Sequence, residues 1–476
     1  MATNIGTSKQ LFLDDLLIEN TYKIGRVIHQ PKKDSRNPLM KKEGKESPHP
    51  HFFGTVLFDN GRFRMWYSPF WGNEDFGGIA YAESNDGISW EKPSLGLVKI
   101  QGNRSNNLIF FEKTPQAVFQ PNVIKLSDGN KETGQYKMLY WDRPSLDKRT
   151  HGVSVAFSND GIHWQKYEKN PVWSTPLDRS MHRGGADDVI CASYDKLTKK
   201  YRAFRRVLPN ESPVYRGPED DYFKAGDYLR VIAAAESEDL IKWENFKVIL
   251  KPDQQDRADT QFYGMGGFNY FGTYIGMLWI YHTDSEEETI DVQLATSRDG
   301  INWERVGNRE VFLPLGQIGA FDEKMIFTGN EPLIVGDEIW MYYSGHNNKH
   351  QEPKREQTLE GIGLAKLRLD GFVSLQGKEC IGNLMTKVLR FKGCKLIINA
   401  KTEPDGFIGV EILDENGNPI RGKTLEDCDK FTGDSVRKTV SWREKERLDN
   451  LQVEPIKLRF HIKRGEIYSF QFADQL

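Results

Sequence analysis

A chain of 476 residues is too long for one ordinary hydrophobic core, so it folds as two or three domains or as one repeat domain with an appendage. With 65 Lys and Arg against 68 Asp and Glu the net charge is −3, which offers no positive field to hold a nucleic-acid backbone or an anionic membrane. Aromatic residues make up 12% of the chain and 43 glycines supply turns, a composition that favours a β-rich fold with a sizeable core.

The first ten residues, MATNIGTSKQ, lack the apolar stretch of a secretory signal. The sequence as it stands therefore places the protein in the cytoplasm, and in the periplasm or outside the cell if a leader has been removed. Residues 11–19, L-F-L-D-D-L-L-I-E, form a strand or short helix ahead of the rest, suited to sealing a ring or a domain interface. The longest apolar run, residues 274–281, has strand length and falls short of the ~18 residues of a membrane span.

Residues 82–90 read A-E-S-N-D-G-I-S-W, and the phrase returns at 156–164 (A-F-S-N-D-G-I-H-W), 235–243 (A-E-S-E-D-L-I-K-W) and 295–303 (A-T-S-R-D-G-I-N-W). A degenerate fifth copy, A-K-L-R-L-D-G-F, begins at Ala365. Asp-Gly between short apolar stretches is a tight-turn signal, because Gly accepts a positive φ without steric cost. Each copy is thus a hairpin, and an alternating apolar pair precedes each of them: residues 54–67, 118–141, 189–205, 262–281 and 325–343. Five units of four antiparallel strands predict an all-β fold with a five-bladed β-propeller. The repeated Ser, Asp and Trp serve this architecture: Asp holds the turn, and Trp90, Trp164, Trp243 and Trp303 pack between neighbouring sheets.

After Asp370 the rhythm breaks, and runs at 395–400, 409–413, 456–462 and 467–472 read as a separate antiparallel β-sandwich joined by a linker near 373–380. The expected division is an N-terminal segment packing on the propeller (1–50), the propeller (51–375) and the C-terminal β-sandwich (376–476). Cys191, Cys380, Cys394 and Cys428 are far apart and form no metal or redox motif. No P-loop, dinucleotide fingerprint or H-E-x-x-H is present, which removes nucleotide and zincin chemistry.

A five-bladed propeller with S-x-D-G-I-x-W hairpins and a trailing sandwich resembles the glycoside hydrolases of the fructosidase and arabinanase type, families 32 and 43. The segments L-F-L-D-D-L-L-I-E, Q-F-Y-G-M at 261–265, D-V-Q-L-A-T-S-R-D-G-I-N-W and L-R-L-D-G-F-V-S-L are similar to a group of bacterial family-32-like proteins. The resemblance implies an enzyme that cleaves a glycosidic bond, a furanoside among the options, in an oligosaccharide or polysaccharide fragment. It implies no cofactor; some relatives carry a structural calcium, but no ligand cluster for a metal is recognisable here. Nucleic acid and membrane are not expected partners, and the oligomeric state is left open.

In those families three acids project into the funnel from the inner strands of successive blades, about seven residues before the first turn. Blade three fits the pattern with Asp187 and Asp188, of which one faces the funnel because strand neighbours alternate, and Asp188 is the choice. Blades one and two offer His49, His51, Gln120 and Asn122 instead, and the N-D-P, R-D-P and E-C-P signatures are absent. Asp259 and Glu331, from blades four and five, complete the expected catalytic trio. His51, Trp71, His182, Arg205, Tyr263, His282 and the loop carboxylate Asp322 are the expected substrate-binding residues, since sugars are held by polar donors and aromatic platforms. Two other readings stand beside hydrolysis. One is a propeller that binds carbohydrate without acting on it. The other is a glycoside phosphorylase, with His182, Arg183, Arg205 and Arg206 around the phosphate.

Overall fold

A computed structural model describes the chain outside residues 1, 45–46, 72–76, 101, 113–116, 127–133, 146–149, 175–188, 208–228, 285, 287, 351, 353–357, 449–450, 452–453 and 475–476. The described residues form 34 strands and no α-helix, as the all-β expectation requires.

Five antiparallel meanders follow one another. The first three run His49–Asp59, Arg62–Phe70, Gly77–Ser84 and Leu108–Glu112; then Ala117–Lys125, Tyr136–Arg143, Gly152–Ser158 and Trp164–Lys166; then Ile190–Asp195, Lys200–Val207, Val231–Ser237 and Trp243–Leu250. The fourth runs Thr260–Tyr270, Thr273–His282, Thr289–Ser297 and Trp303–Arg305, and the fifth Met325–Thr328 with Leu333–Val335, Glu338–His346 and Glu360–Arg368. The units pack in cyclic order, the first against the second, onward to the fifth and back to the first, which closes a propeller-like ring. Tight turns set the registers. Asn60 and Gly61 have φ 52° and 78°, and Phe271 and Gly272 have 52° and 95°, so both inner hairpins turn through two left-handed residues, matching the twist of the strands.

The repeated phrase is one device built four times. Ser84 Oγ accepts from the Gly87 amide at 2.9 Å, and Asp86 Oδ1 accepts from Ile88 and Ser89 at 2.8 and 2.7 Å. Ser158 with Asp160, Ser237 with Asp239 and Ser297 with Asp299 repeat these bonds. Backbone amides hold the carboxyl of Asp86 near 2, and the His163 imidazole together with backbone amides holds that of Asp160 near 2. Each hairpin seats against the preceding unit: Tyr342 donates to the Gly87 carbonyl at 2.7 Å, and Trp66 to that of Gly161 at 2.8 Å.

The four tryptophans are not equivalent in burial. Trp303 is 8% exposed and meets Phe204 of the preceding unit edge-on at 5.5 Å. Trp90, Trp164 and Trp243 are half-buried, Trp243 stacking on Trp173 at 5.6 Å. Asp370, read as a fifth copy, has another task. It is fully buried and gathers Lys9 at 2.9 Å, Tyr270 at 2.7 Å and Ser469 at 2.7 Å, tying the N-terminal segment, the fourth unit and the last strand together.

The N-terminal segment is divided between the two parts of the molecule. Lys32–Lys33 and Met40–Lys41 pair with Glu360–Arg368, so the chain's beginning supplies the outermost strand of the fifth unit. Thr3–Gly6, Gln10–Leu11, Ile18–Tyr22 and Ile24–Ile28 belong to the ten-stranded C-terminal sheet, whose backbone is the long pair Lys395–Asp414 and Ile456–Ala473. Val373–Gly377, expected as linker, is a strand of this sheet, paired with Ile24–Ile28. Between them, Leu11 and Leu13 enter the core of the ring while Phe12 and Leu17 enter that of the C-terminal sheet.

Candidate functional site

Every inner strand begins at one end of the ring, and the turn that follows it and the hairpin of the repeated phrase lie at the other. At the first end, here the mouth, three inner strands carry a β-bulge: between His51 and Thr55, between Phe119 and Asn122, and between Phe262 and Gly264. A bulge re-aims a side chain at the cost of a ladder bond, and it is found beside sites where a side chain must leave the alternation. Gln120 even takes φ 61° there. Its amide accepts from Ile190, and Asn122 bridges to the Ile190 carbonyl and the Ala192 amide, so this pair fastens the second unit to the third.

A wall of rings and cations lines the mouth. His51 lies 4.0 Å from Phe53 and 4.5 Å from His346, ring to ring, with Phe327 at 5.6 Å. Tyr263 meets Phe327 at 5.4 Å and Tyr281 at 5.9 Å, and its hydroxyl is 2.9 Å from His350 Nε2. The Arg206 guanidinium stands 4.4 Å over the Tyr263 ring. Arg230 stands 5.3 Å over Tyr281 and donates to Gln261 at 2.6 Å. Burial, with Arg230, Arg206 and His346 nearby, pushes the His350 imidazole down to about 4, so it is neutral at pH 7. Beneath His51 the buried carboxylate of Glu360 is shared by His346 at 2.9 Å and His49 at 3.4 Å.

The expected residues distribute as follows. His51, Tyr263 and His282 are at the mouth, His282 pairing with Asp291 at 3.1 Å. Arg205 is 1% exposed and lies over Trp173 at 4.6 Å, in the wall between the second and third units. Trp71 packs edge-on against Phe111 at 5.4 Å on the rim of the first unit. Asp259 precedes the inner strand of the fourth unit, where Arg257 donates to it at 3.1 Å and the Asp284 amide at 3.2 Å, the pattern of a braced loop carboxylate.

Asp322 is 2% exposed and its Oδ2 is taken by Lys33 at 2.6 Å and Tyr343 at 2.9 Å, so it fastens the closing strand. Two protein donors thus hold one oxygen of this buried carboxylate. Glu331 lines a cavity on the turn side, with Lys196 and Tyr270, and is not brought together with Asp259. The reason is that the fifth inner strand is broken, Met325–Thr328 being separated from Leu333–Val335, and Glu331 falls in the break, well below the mouth. Asp187, Asp188, His182 and Arg183 lie outside the described residues.

Sequence reasoning missed Glu360, His346, His350 and Arg230. Glu360 opens the third strand of its unit, and a template that looks only at inner strands passes over it. Among the described residues no three His, Cys, Asp or Glu side chains are grouped to hold a metal ion, and no helix is long and apolar enough to cross a membrane.

No family model matches the chain. Two curated relatives do, both uncharacterised proteins of Mycobacterium tuberculosis, Rv1502 of strain H37Rv and MT1551 of strain CDC 1551. Each is 30% identical over 120 residues, 24% of this chain and 33% of the relative, so the match spans about a third of their length. Among solved structures, a complex of BT0996 with RGII covers 71% of this chain and 92% of its own, with a TM-score of 0.49 and 16% identity. An N-acetylgalactosamine deacetylase from F. plautii, in complex with blood group B trisaccharide, covers 74% and 96% at a TM-score of 0.46 and 16% identity. A thermostable family-43 glycoside hydrolase covers 72% and 95% at 0.46 and 14%. With likeness at this level, the chemistry has to be read from the residues of the mouth.

Proposed function

We propose that the five meanders are the blades of a five-bladed propeller followed by a C-terminal sandwich, and that its mouth binds a glycan and hydrolyses a glycosidic bond. The observation that carries this reading is the half-buried pair Phe53 and Tyr263, backed by the buried rings of Tyr281 and Phe327 and interleaved with Arg206, Arg230 and His350, set where three inner strands bulge. Aromatic faces take the apolar side of a sugar ring, while guanidinium and imidazole groups take its hydroxyls. A furanoside within an oligosaccharide or polysaccharide fragment is the proposed substrate class.

Of the expected trio, Asp188 remains the proposed catalytic carboxylate, since it directly precedes Val189, whose carbonyl accepts from the Arg206 amide at 3.0 Å beside the mouth. Asp259 is its proposed partner. Glu360, enclosed between two imidazoles, is a positioning residue that fixes His346. Asp188→Asn should keep the fold and sugar binding while turnover on a panel of aryl furanosides and pyranosides falls by about 10³-fold or more. Near-normal hydrolysis by this variant would remove Asp188 from the chemistry.

Arg206 and Arg230 at the mouth also support the phosphorylase reading, and turnover that requires inorganic phosphate would select it. Binding of the same sugars without turnover in either buffer would leave a carbohydrate-binding propeller.

A further inference from the structure

On the turn side, where the ring meets the C-terminal sheet, a cavity encloses about 380 Å³, within the ~300–1,000 Å³ range of small-molecule sites. Turns of the third and fourth units, the break in the fifth inner strand and the segment around Lys9 form its walls. None of the residues of the mouth lines it.

Three observations separate this cavity from a packing defect. The wall is braced, because Lys9 is committed to Asp370 at 2.9 Å and lies 4.7 Å over the Phe271 ring, while Tyr270 donates to the same carboxylate at 2.7 Å. Large apolar side chains are left open along it, Phe271 at 48%, Leu197 at 69% and Ile334 at 50% exposure, which a water-facing surface keeps together only where something covers them. The Glu331 side chain is open to the cavity and has no hydrogen-bond donor among the described residues.

We propose that this cavity is a second binding site, for a neutral mono- or disaccharide stacked on Phe271 with its hydroxyls on Glu331 and Lys196. One carboxyl and one ammonium supply an acceptor and a donor with no excess of either charge, and the aromatic floor suits the apolar face of a pyranose or furanose ring. The inference does not depend on the chemistry at the mouth and holds for a hydrolase, a phosphorylase or a binding propeller alike.

The test is saturation-transfer NMR and calorimetry on the full chain with D-glucose, D-galactose, L-arabinose, D-xylose, maltose and lactose. The comparison is between wild type, Phe271→Ala, Glu331→Gln, the exposed-turn variant Lys196→Met and the mouth variant Tyr263→Ala. At least one sugar should bind to wild type and to Tyr263→Ala alike. Its affinity should fall about tenfold in Phe271→Ala and in whichever of the two polar variants retains the wild-type melting temperature. Absence of binding by all six sugars overturns the proposal. So does binding that Tyr263→Ala abolishes while Glu331→Gln and Lys196→Met leave it intact.

Discussion

His350 is a neutral imidazole packed between Tyr263 and Tyr281, with two guanidiniums close by. Its pKa lies near 4 in the native protein against an ordinary 6.5, so between these values the unfolded chain binds a proton that the native chain refuses. Stability therefore rises with pH across that window and is lost on acidification. Replacing His350 by Gln should flatten urea midpoints measured from pH 6.5 down to about 4, and an unchanged slope would show that the ring titrates freely. The hairpin aspartates act with the same sign in a lower window. Asp160 sits near 2, so its contribution is present above the ordinary 3.8 and fades as pH falls toward 2. Asp160→Ala removes the acceptor of the Ile162 and His163 amides at an exposed turn and should cost about 0.5–1.5 kcal/mol in denaturant titration at neutral pH, where Asn in its place retains part of the bond. Residue chemistry of this kind was open to sequence reading where the partners are local, as in Ser158 and Asp160. It was closed where they come from distant units, as for Glu360 with His49.

At the scale of the element, the hairpin in four copies gives a controlled comparison. Gly161 has φ 77°, and a Cβ there would come within 2.9 Å of Trp66 and 3.1 Å of Arg64, so Gly161→Ala carries both backbone strain and a clash. A loss of more than about 1 kcal/mol in thermal unfolding is expected. The third copy has already exchanged its glycine: Leu240 holds φ 69° and is fully buried against the second unit's Leu139 and Trp141. Leu240→Gly should relieve about 1 kcal/mol of strain yet lose about 2–5 kcal/mol of packing, and so destabilise the protein. The repeat phrase announced the hairpins and their spacing but said nothing of how deeply each tryptophan is covered. Trp303→Ala should cost about 3–5 kcal/mol, and the half-buried Trp90, Trp164 and Trp243 clearly less. Equal losses at all four would restore the equivalence that their sequence context implies. Glu331 shows the same limit in another form, since spacing identified its strand but not the break that lowers it to the turn side.

For the molecule as a whole, the fifth unit is completed by residues from the start of the chain, and the Lys33 to Asp322 ion pair locks them in place. Lys33→Met leaves a buried carboxylate with Tyr343 as its remaining donor and should cost about 3 kcal/mol, whereas Lys33→Met with Asp322→Leu should recover much of it. The pairing of Lys32–Lys33 and Met40–Lys41 was invisible in the sequence because these short strands carry no alternation, only backbone bonds to Glu360–Arg368. The closure also has a consequence in time. During synthesis the first forty residues leave the ribosome long before their partners at 360–377 exist, and they wait unpaired while the intervening units form. Long-range pairing of this kind folds slowly, and the ring stays open at one seam until the ribosome has passed the fifth unit. A chain stalled before residue 360 should accordingly be caught by proteases and chaperones through its N-terminus, with the first four units already resistant.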